Sequence, residues 1–214
     1  LLWKNSKNKG VVIILDRDVD YIAVIFASWL AGGYYVPLST ESNNSNIKKY
    51  TKISKASLLV KKINNKITFQ KLNAKQSNNL IQKKLAYIIF TSGSTGDKKG
   101  VCISRNNLIQ YYSSIKKKFK GKYKPKSLII NGELTFDITL ADIIFAIIFK
   151  SEIVLTNSSK NLISLINLIY KRKVESVYLV PTTIRRLISV IEKIGFKYVK
   201  SIKQINSGGE TLNI

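Results

Sequence analysis

Histidine and methionine are absent from the 214 residues, and cysteine occurs once. Without His the chain has no imidazole general base and no His-ligated metal of its own. The single thiol, Cys102, can build neither an internal disulfide nor a zinc site; that fits a reducing compartment, and the cytoplasm is the expected location. Without Met there is no initiator residue, so a piece cut from a longer protein is expected. Acids are scarce, 12 against 36 Lys and Arg, for a formal net charge of +24. Arg is scarce too, confined to Arg17, Arg105, Arg172, Arg185 and Arg186. Such an excess invites a nucleic-acid or membrane-surface reading. The cations, however, are almost all Lys and keep company with Asn and Ile, as a codon bias toward A and T would produce. The runs Lys61-Lys62 and Lys116-Lys117-Lys118 have no interleaved aromatics. No helix-turn-helix, RNP or zinc pattern is present, so no specific nucleic-acid partner is expected. No apolar run reaches the ~18 residues of a membrane span. The most apolar stretch, Leu134 to Phe149, contains Asp137 and Asp142 and stops at Lys150. The start, Leu1-Leu2-Trp3-Lys4, lacks the pattern of a signal peptide.

What is present is a regular alternation. Hydrophobic residues make up 45% of the chain, enough for a sizeable core in one large domain or two small ones. Val11 to Leu15 reads as a buried strand, and Asp18 as the N-cap of a helix carrying Ile22, Ile25, Phe26 and Trp29 at helical spacing. Gly32-Gly33 ends that helix before the extended Tyr34 to Leu38. A short helix at about Ile47–Ile53 and a strand at Leu58-Leu59-Val60 follow. Lys61 to Lys84 is Lys/Asn/Gln-rich and reads as a surface excursion with one strand at Ile67-Thr68-Phe69. Further strands are expected at Tyr87–Phe90, Val101–Ile103, Leu128–Ile130, Ile153–Leu155, Val177–Leu179 and Ile202–Asn206. The intervening helices are expected near Asn107–Ile115, Leu140–Phe149, Leu162–Tyr170 and Thr183–Ile194. This recurrent strand–helix order predicts an α/β fold with mainly parallel sheets flanked by helices.

The stretch Thr91-Ser92-Gly93-Ser94-Thr95-Gly96-Asp97-Lys98-Lys99-Gly100 follows a buried strand. Glycine lets backbone approach a ligand, N–H groups and hydroxyls donate to phosphate oxygens, and Lys supplies countercharge. Composition alone leaves two readings open, a cradle for a polyphosphate and a flexible surface loop. The spacing is neither that of a P-loop nor that of a dinucleotide fingerprint, since Lys98 stands where the second P-loop Gly is required. The order of residues closely resembles the phosphate-loop signature of the adenylate-forming superfamily, T-S-G-[ST]-T-G-x-P-K-G, with Lys98 in place of the usual Pro. That superfamily contains acyl-CoA ligases, luciferases and the adenylation domains of peptide synthetases.

Other motifs resemble the same family in the same order. Trp29 to Leu38 is similar to its upstream Gly-Gly-Tyr-x-Pro-Leu segment, although Ser39-Thr40 replaces the usual Asp-Pro. Phe136-Asp137-Ile138-Thr139 resembles the F-D-x-S/T motif of the amino-acid-activating branch, where the Asp pairs with the substrate's α-ammonium. One carboxylate at the mouth of an apolar helix suits that task, and an N-cap role for Asp137 is the structural alternative. Asp142 reads as a structural acid on the same helix. Val177 to Thr183 is similar to the strand ending in Val-Pro-Ser/Thr, and Ile205-Asn206-Ser207-Gly208-Gly209-Glu210 to the G-G-E segment. The resemblance implies nucleotide contacts from Thr91, Ser92, Gly93, Ser94, Thr95, Gly96, Lys99, Gly100, Gly208, Gly209 and Glu210. It implies substrate contacts from Phe136, Asp137, Ile138, Ala141, Tyr178, Ile205 and Ser207. Tyr178 and Ile205 read equally as core at a strand end.

The fold so implied is the front part of the large N-terminal domain of an adenylate-forming enzyme, over residues 1–214. The adenine-binding N-x-Y-G-P-T-E loop, the ribose-binding Asp, the small C-terminal domain and its catalytic Lys do not occur in the sequence. No catalytic side chain is therefore assigned within it, and little activity is expected of these residues alone. The implied reaction uses ATP and Mg²⁺ to convert an amino acid to aminoacyl-AMP with release of pyrophosphate. The acyl group then passes to the thiol of a phosphopantetheinylated carrier protein or domain. A small to medium neutral amino acid is the expected substrate, in a synthetase module or a stand-alone ligase resembling the D-alanine–carrier ligase. An acyl- or aryl-CoA ligase, a basic nucleic-acid-binding module and a non-functional remnant are the alternatives.

Overall fold

The computed structural model describes residues 9–73, 84–91, 98–156 and 161–211. The chain forms two compact units, Leu1–Tyr111 and Tyr112–Ile214.

The first unit is built on a six-stranded sheet. Its elements run β1 (Gly10–Ile14), α1 (Val19–Leu30), β2 (Tyr34–Pro37), α2 (Asn44–Ser54), β3 (Ala56–Ile63), β4 (Lys66–Lys71), β5 (Leu85–Thr91) and β6 (Lys99–Ser104). The strand order is β4-β3-β1-β2-β5-β6. The inner pairs are parallel, and each edge is an antiparallel hairpin. Every residue of β1 is buried, as a central strand covered on both faces requires. Asp18 caps α1, its carboxylate accepting from the Tyr21 N–H at 3.1 Å. Lys62 on β3 pairs with Asp18 and, at 2.8 Å, with Asp20, fixing the start of α1 to the sheet.

The strand expected at Ile67-Thr68-Phe69 is present, and both it and the strand before it are longer than the sequence reading gave. β3 continues to Ile63, and a two-residue turn at Asn64-Asn65 (φ 50° and 59°) returns the chain into the six-residue β4. Two central turn residues at positive φ match the twist of paired strands, and Asn tolerates that conformation. The segment looks polar because it is an edge hairpin with one wetted face. Residues 74–83 lie outside the described residues.

Helix α3 (Arg105–Lys118) leads into the second unit. There β7 (Ser127–Ile130), α4 (Asp137–Phe149), β8 (Glu152–Leu155), α5 (Leu162–Arg172), β9 (Ser176–Tyr178), α6 (Pro181–Ile194), a 3-10 turn (Phe196–Val199) and β10 (Gln204–Asn206) follow in order. The four strands are all parallel, in the order β10-β9-β7-β8. Ile129, Val154 and Val177 pack with Leu165, Ile166 and Ile169 of α5 and Leu187 and Ile191 of α6 in one cluster. Helix α4 stays outside that cluster and buries Leu140, Ile143, Ile144 and Phe145 along β7 and β8. The connections from β7 and from β9 leave in opposite directions along the sheet. Beyond the carboxyl ends of two such neighbouring strands the loops diverge, and a crevice for ligands opens there.

Helices α4 and α6 begin earlier than the apolar periodicity predicts, at Asp137 and Pro181. Pro fits the first helical position because its missing N–H is not needed there. Strand β10 is shorter than predicted, beginning at Gln204. Three helices end on Lys rather than Gly in the left-handed conformation, at Lys55, Lys150 and Lys173.

Candidate functional site

In the first unit, the glycine-rich segment connects the two strands of the β5–β6 hairpin. Thr91 and Lys99 face each other in register at its mouth, with Phe90 opposite Gly100 one step inside. All of Thr91, Lys98, Lys99 and Gly100 are exposed. Ser92, Gly93, Ser94, Thr95 and Gly96 lie outside the described residues. The base of the hairpin is firmly held. The Arg105 guanidinium donates to the Gly33 carbonyl at 2.8 Å, to the Trp29 carbonyl at 3.2 Å and, through Nε, to the Leu85 carbonyl at 3.4 Å. The Trp29 indole donates to the Ala86 carbonyl at 2.8 Å. One planar fork of donors thereby joins the end of α1 to the start of β5. Nothing in the local pattern around Arg105 signals this role.

In the second unit, the sequence-predicted substrate residues gather at the carboxyl ends of β7, β9 and β10. Tyr178 is the last residue of β9 and pairs in register with Asn206, the last of β10. Gly208 follows two residues later, and a Cβ there would stand 2.9 Å from the Tyr178 hydroxyl. A side chain at Gly208 would have to displace the Tyr178 hydroxyl, and Gly209 beside it takes φ 87°. Across the crevice, a Cβ on Gly132 would meet Ile138 Cγ2 at 2.7 Å. The bare backbone after β7 is what lets the first turn of α4 pack inward. Gly132 was not singled out from sequence; its place between a strand and the F-D motif is the available signal.

The start of α4 is organised by Glu133, whose carbonyl accepts from the Phe136 N–H at 3.0 Å and the Thr139 hydroxyl at 2.9 Å. Phe136 occupies the N-cap position and provides no side-chain cap. Asp137 is the first helical residue, so the N-cap alternative for it does not hold. Its carboxylate is exposed and makes no hydrogen bond or ion pair with any described residue. A cap of Ser, Thr, Asp or Asn in place of Phe136 would add ~1 kcal/mol to helix stability. The helix therefore begins uncapped beside a carboxylate that stays unengaged. Ala141 lies one turn further along, half-buried, and Ile138 is half-buried against Gly132. Phe136 is 56% and Ile205 47% exposed, so Ile205 is not the core residue that its strand position allowed. Ser207 is exposed, and Tyr178 is half-buried.

Two electrostatic features stand out here. Burial without a partner pushes the Asp142 carboxyl up to about 7, and its Oδ2 is buried with no hydrogen bond. The Tyr178 phenol is raised by burial first, then by the negative charges of Asp142 and Asp137. Glu210 is engaged instead: its two oxygens accept from the Thr182 N–H and hydroxyl, each at 3.0 Å. That bidentate contact pins the Gly208–Gly209 turn to the start of α6. Thr182 was not predicted as a site residue, although Pro181-Thr182 at a helix start is a readable capping signal.

A family model described as AMP-binding enzyme matches residues 4–214. The chain belongs to the AMP-binding enzyme family. It is thus a member of the adenylate-forming superfamily, and its α/β architecture is that of the family's N-terminal domains. Among curated relatives, the nonribosomal peptide synthetase agiA of Aspergillus flavus is 27% identical over 177 residues, covering 72% of this chain and 2% of that protein. The dapdiamide synthesis protein DdaD of Enterobacter agglomerans is 27% identical, covering 86% of this chain and 33% of that protein. Among solved structures, the nonribosomal peptide synthetase FmoA3 in its alpha-methyl-L-serine-AMP bound form superimposes with a TM-score of 0.78. It is 14% identical over 99% of this chain and 27% of its own, which speaks for the fold. The chain spans a third or less of each of these proteins. Among the described residues no cluster of three metal-ligating side chains occurs, and no helix is long and apolar enough to cross a membrane.

Proposed function

We propose that this chain is part of an amino-acid-activating adenylation domain. The observation that carries the reading is the unengaged Asp137 carboxylate at the uncapped start of α4, on the crevice side of a parallel sheet. Its charge selects a cation, and the α-ammonium of an amino acid is the cation that places a carboxylate nearby for activation. Ile138, Ala141, Tyr178 and Ile205 line the side-chain pocket, with Phe136 and Ser207 at its rim.

The carboxylate oxygen of the amino acid attacks the α-phosphate of ATP, forming aminoacyl-AMP as pyrophosphate leaves. Residues Thr91 to Gly96, Lys99 and Gly100 hold the β- and γ-phosphates through N–H groups, hydroxyls and the ammonium charge. Thr91 and Lys99, facing each other at the hairpin mouth, fit such a cradle. Gly208 and Gly209 give the nucleotide close access to backbone, and Glu210 holds that turn on α6. Mg²⁺ bound through phosphates and water needs no cluster of protein carboxylates, so the donor set is compatible with it. It would neutralise charge on the phosphates. The acyl group then passes to a phosphopantetheine thiol on a carrier, and a cytoplasmic setting suits that thiol.

The test is ATP–pyrophosphate exchange by the intact protein with a panel of amino acids. Asp137→Ala should lower amino-acid-dependent exchange about 10–100-fold, the worth of a hydrogen bond to a charged group. Exchange driven equally well by carboxylic acids lacking the amine, and untouched by Asp137→Ala, would instead point to an acyl- or aryl-CoA ligase.

A further inference from the structure

All four strands of the second sheet are parallel, so all four enter from one edge. That amino edge lies at the opposite end of the sheet from Asp137 and Tyr178. Its backbone is laced from strand to strand. The Lys203 N–H donates to the Glu175 carbonyl at 2.8 Å, the Ser127 hydroxyl to the Lys173 carbonyl at 3.3 Å, and the Glu152 N–H to the Lys126 carbonyl at 2.8 Å. Lys203, Lys173, Lys126 and Lys150 therefore stand in a row across the edge, one exposed Lys ahead of each strand. At ~4.8 Å between strands the row is about 15 Å long. In the loop before β7 every second residue from Lys120 to Lys126 is Lys, and all four are exposed. Phe119 fastens this loop to α4, its ring 5.2 Å from that of Phe145 and 5.8 Å from that of Phe149. Helices α5 and α6 run back to the same edge and carry Lys171, Arg172 and Lys193 in their last turns. Among the described acids here, Glu152 pairs with Arg172 and Glu175 with Lys203, and Glu192 is the third. Exposed apolar side chains share the edge. Phe196, 69% exposed, and Ile194 sit where α6 ends, and Tyr170 stands 5.2 Å from Tyr198 in the same turn. The carboxyl edge is the reverse: its described loops hold no Lys or Arg, and its charges are Glu133, Asp137 and Glu210. A compositional preference for Lys would load both edges alike, so it does not account for this polarity.

We propose that the amino edge of the second sheet docks on a membrane surface bearing anionic lipids. The ammoniums meet the headgroup charges, while Phe196 and Ile194 enter the headgroup layer. Lys suits that surface because its long stem lies along apolar neighbours and leaves the charge among headgroups of no fixed geometry. A nucleic acid fits less well. Aliphatic Ile194 finds no partner on a phosphate backbone, and Lys lacks the bidentate fork by which Arg reads bases. Docked this way, the sheet turns its carboxyl edge, with the candidate site, toward the water. The proposal does not depend on the adenylation reading.

The experiment sediments the intact protein with two kinds of vesicle, phosphatidylcholine alone and phosphatidylcholine with about 30% phosphatidylserine, at about 0.15 M salt. Binding to the anionic vesicles should be ~10-fold stronger or more, and should weaken as salt is raised. Lys120→Gln, Lys122→Gln, Lys124→Gln and Lys126→Gln together should lower it about 100-fold or more. Phe196→Ser should lower it about 10-fold. All five side chains are exposed, and unchanged thermal unfolding of the variants would show that they fold. Equal binding to the two vesicles, or binding unchanged in the four-Lys variant, would overturn the proposal. Tighter binding to mixed-sequence duplex DNA, lost in the four-Lys variant but kept in Phe196→Ser, would also overturn it and mark a nucleic-acid surface instead.

Discussion

Replacing Asp142 by Asn should remove a pH dependence that the wild-type fold carries. The carboxyl is pushed from its usual 3.8 up to about 7 by burial. Its proton is thus held more tightly in the folded chain than in the unfolded one. Below about pH 4 the group is neutral in both states and costs nothing. Between about pH 4 and 7 the folded state holds the extra proton, so stability falls as pH rises, by up to ~1.4 kcal/mol per pH unit. The loss is complete above the folded value, and three units amount to about 4 kcal/mol. Burial is the cause of that shift, and the Tyr178 phenol is coupled to the same carboxylate, so a phenolate at high pH would also favour the neutral form. Glu175 is shifted the other way, to about 2, by hydrogen bonds from Tyr123 and the Lys126 N–H and by Lys203. Its contribution is lost only as pH falls below about 4.5, outside the Asp142 window. Urea unfolding at pH 5 and pH 8, wild type beside Asp142→Asn, isolates the effect. The variant should gain on wild type by about 2–3 kcal/mol between the two pH values, with m unchanged. Parallel pH profiles for the two proteins would refute an unpartnered, buried Asp142.

Two further substitutions test the backbone. Gly132→Ala places a methyl 2.7 Å from Ile138 Cγ2; it should destabilise by about 1–3 kcal/mol, with Ile138→Ala in the same chain recovering part of the loss, as thermal or urea unfolding would record. Lys150→Gly relieves a left-handed residue at φ 56° at the end of α4 and should stabilise by about 0.5–1 kcal/mol in the same assay.

The alternation of apolar strands and amphipathic helices was legible because its signals are local. Val11 to Leu15, Leu128 to Ile130 and the Asp18 cap appear where periodicity and capping chemistry put them. The β3–β4 hairpin was underestimated because an edge strand in this Lys-rich chain alternates polar with apolar residues and reads as surface. The start of α4 was misplaced for a different reason: apolar periodicity takes hold at Leu140, while the turn set by the Glu133 carbonyl begins the helix at Asp137. In the candidate site, motif order singled out Asp137, Tyr178 and the Gly208–Gly209 turn. It did not reveal Gly132, Thr182 or Arg105, whose roles depend on partners up to 76 residues away. Asp142 was read as structural, and the structure adds that its Oδ2 is buried without a hydrogen bond.

The short outer strand of the second sheet has a consequence for motion. β10 contributes three residues and has a neighbour on one side only within the described sheet, while β7 is flanked on both. The proposed side-chain pocket would therefore be walled unequally, by β7 and α4 from the interior and by Tyr178, β10 and the glycine turn near the rim. Amide exchange should be fastest along Gln204 to Gly209 and slowest in β7. A ligand seated against Tyr178 should slow exchange mainly in this outer wall, so the order of Gln204 to Gly209 would report its arrival.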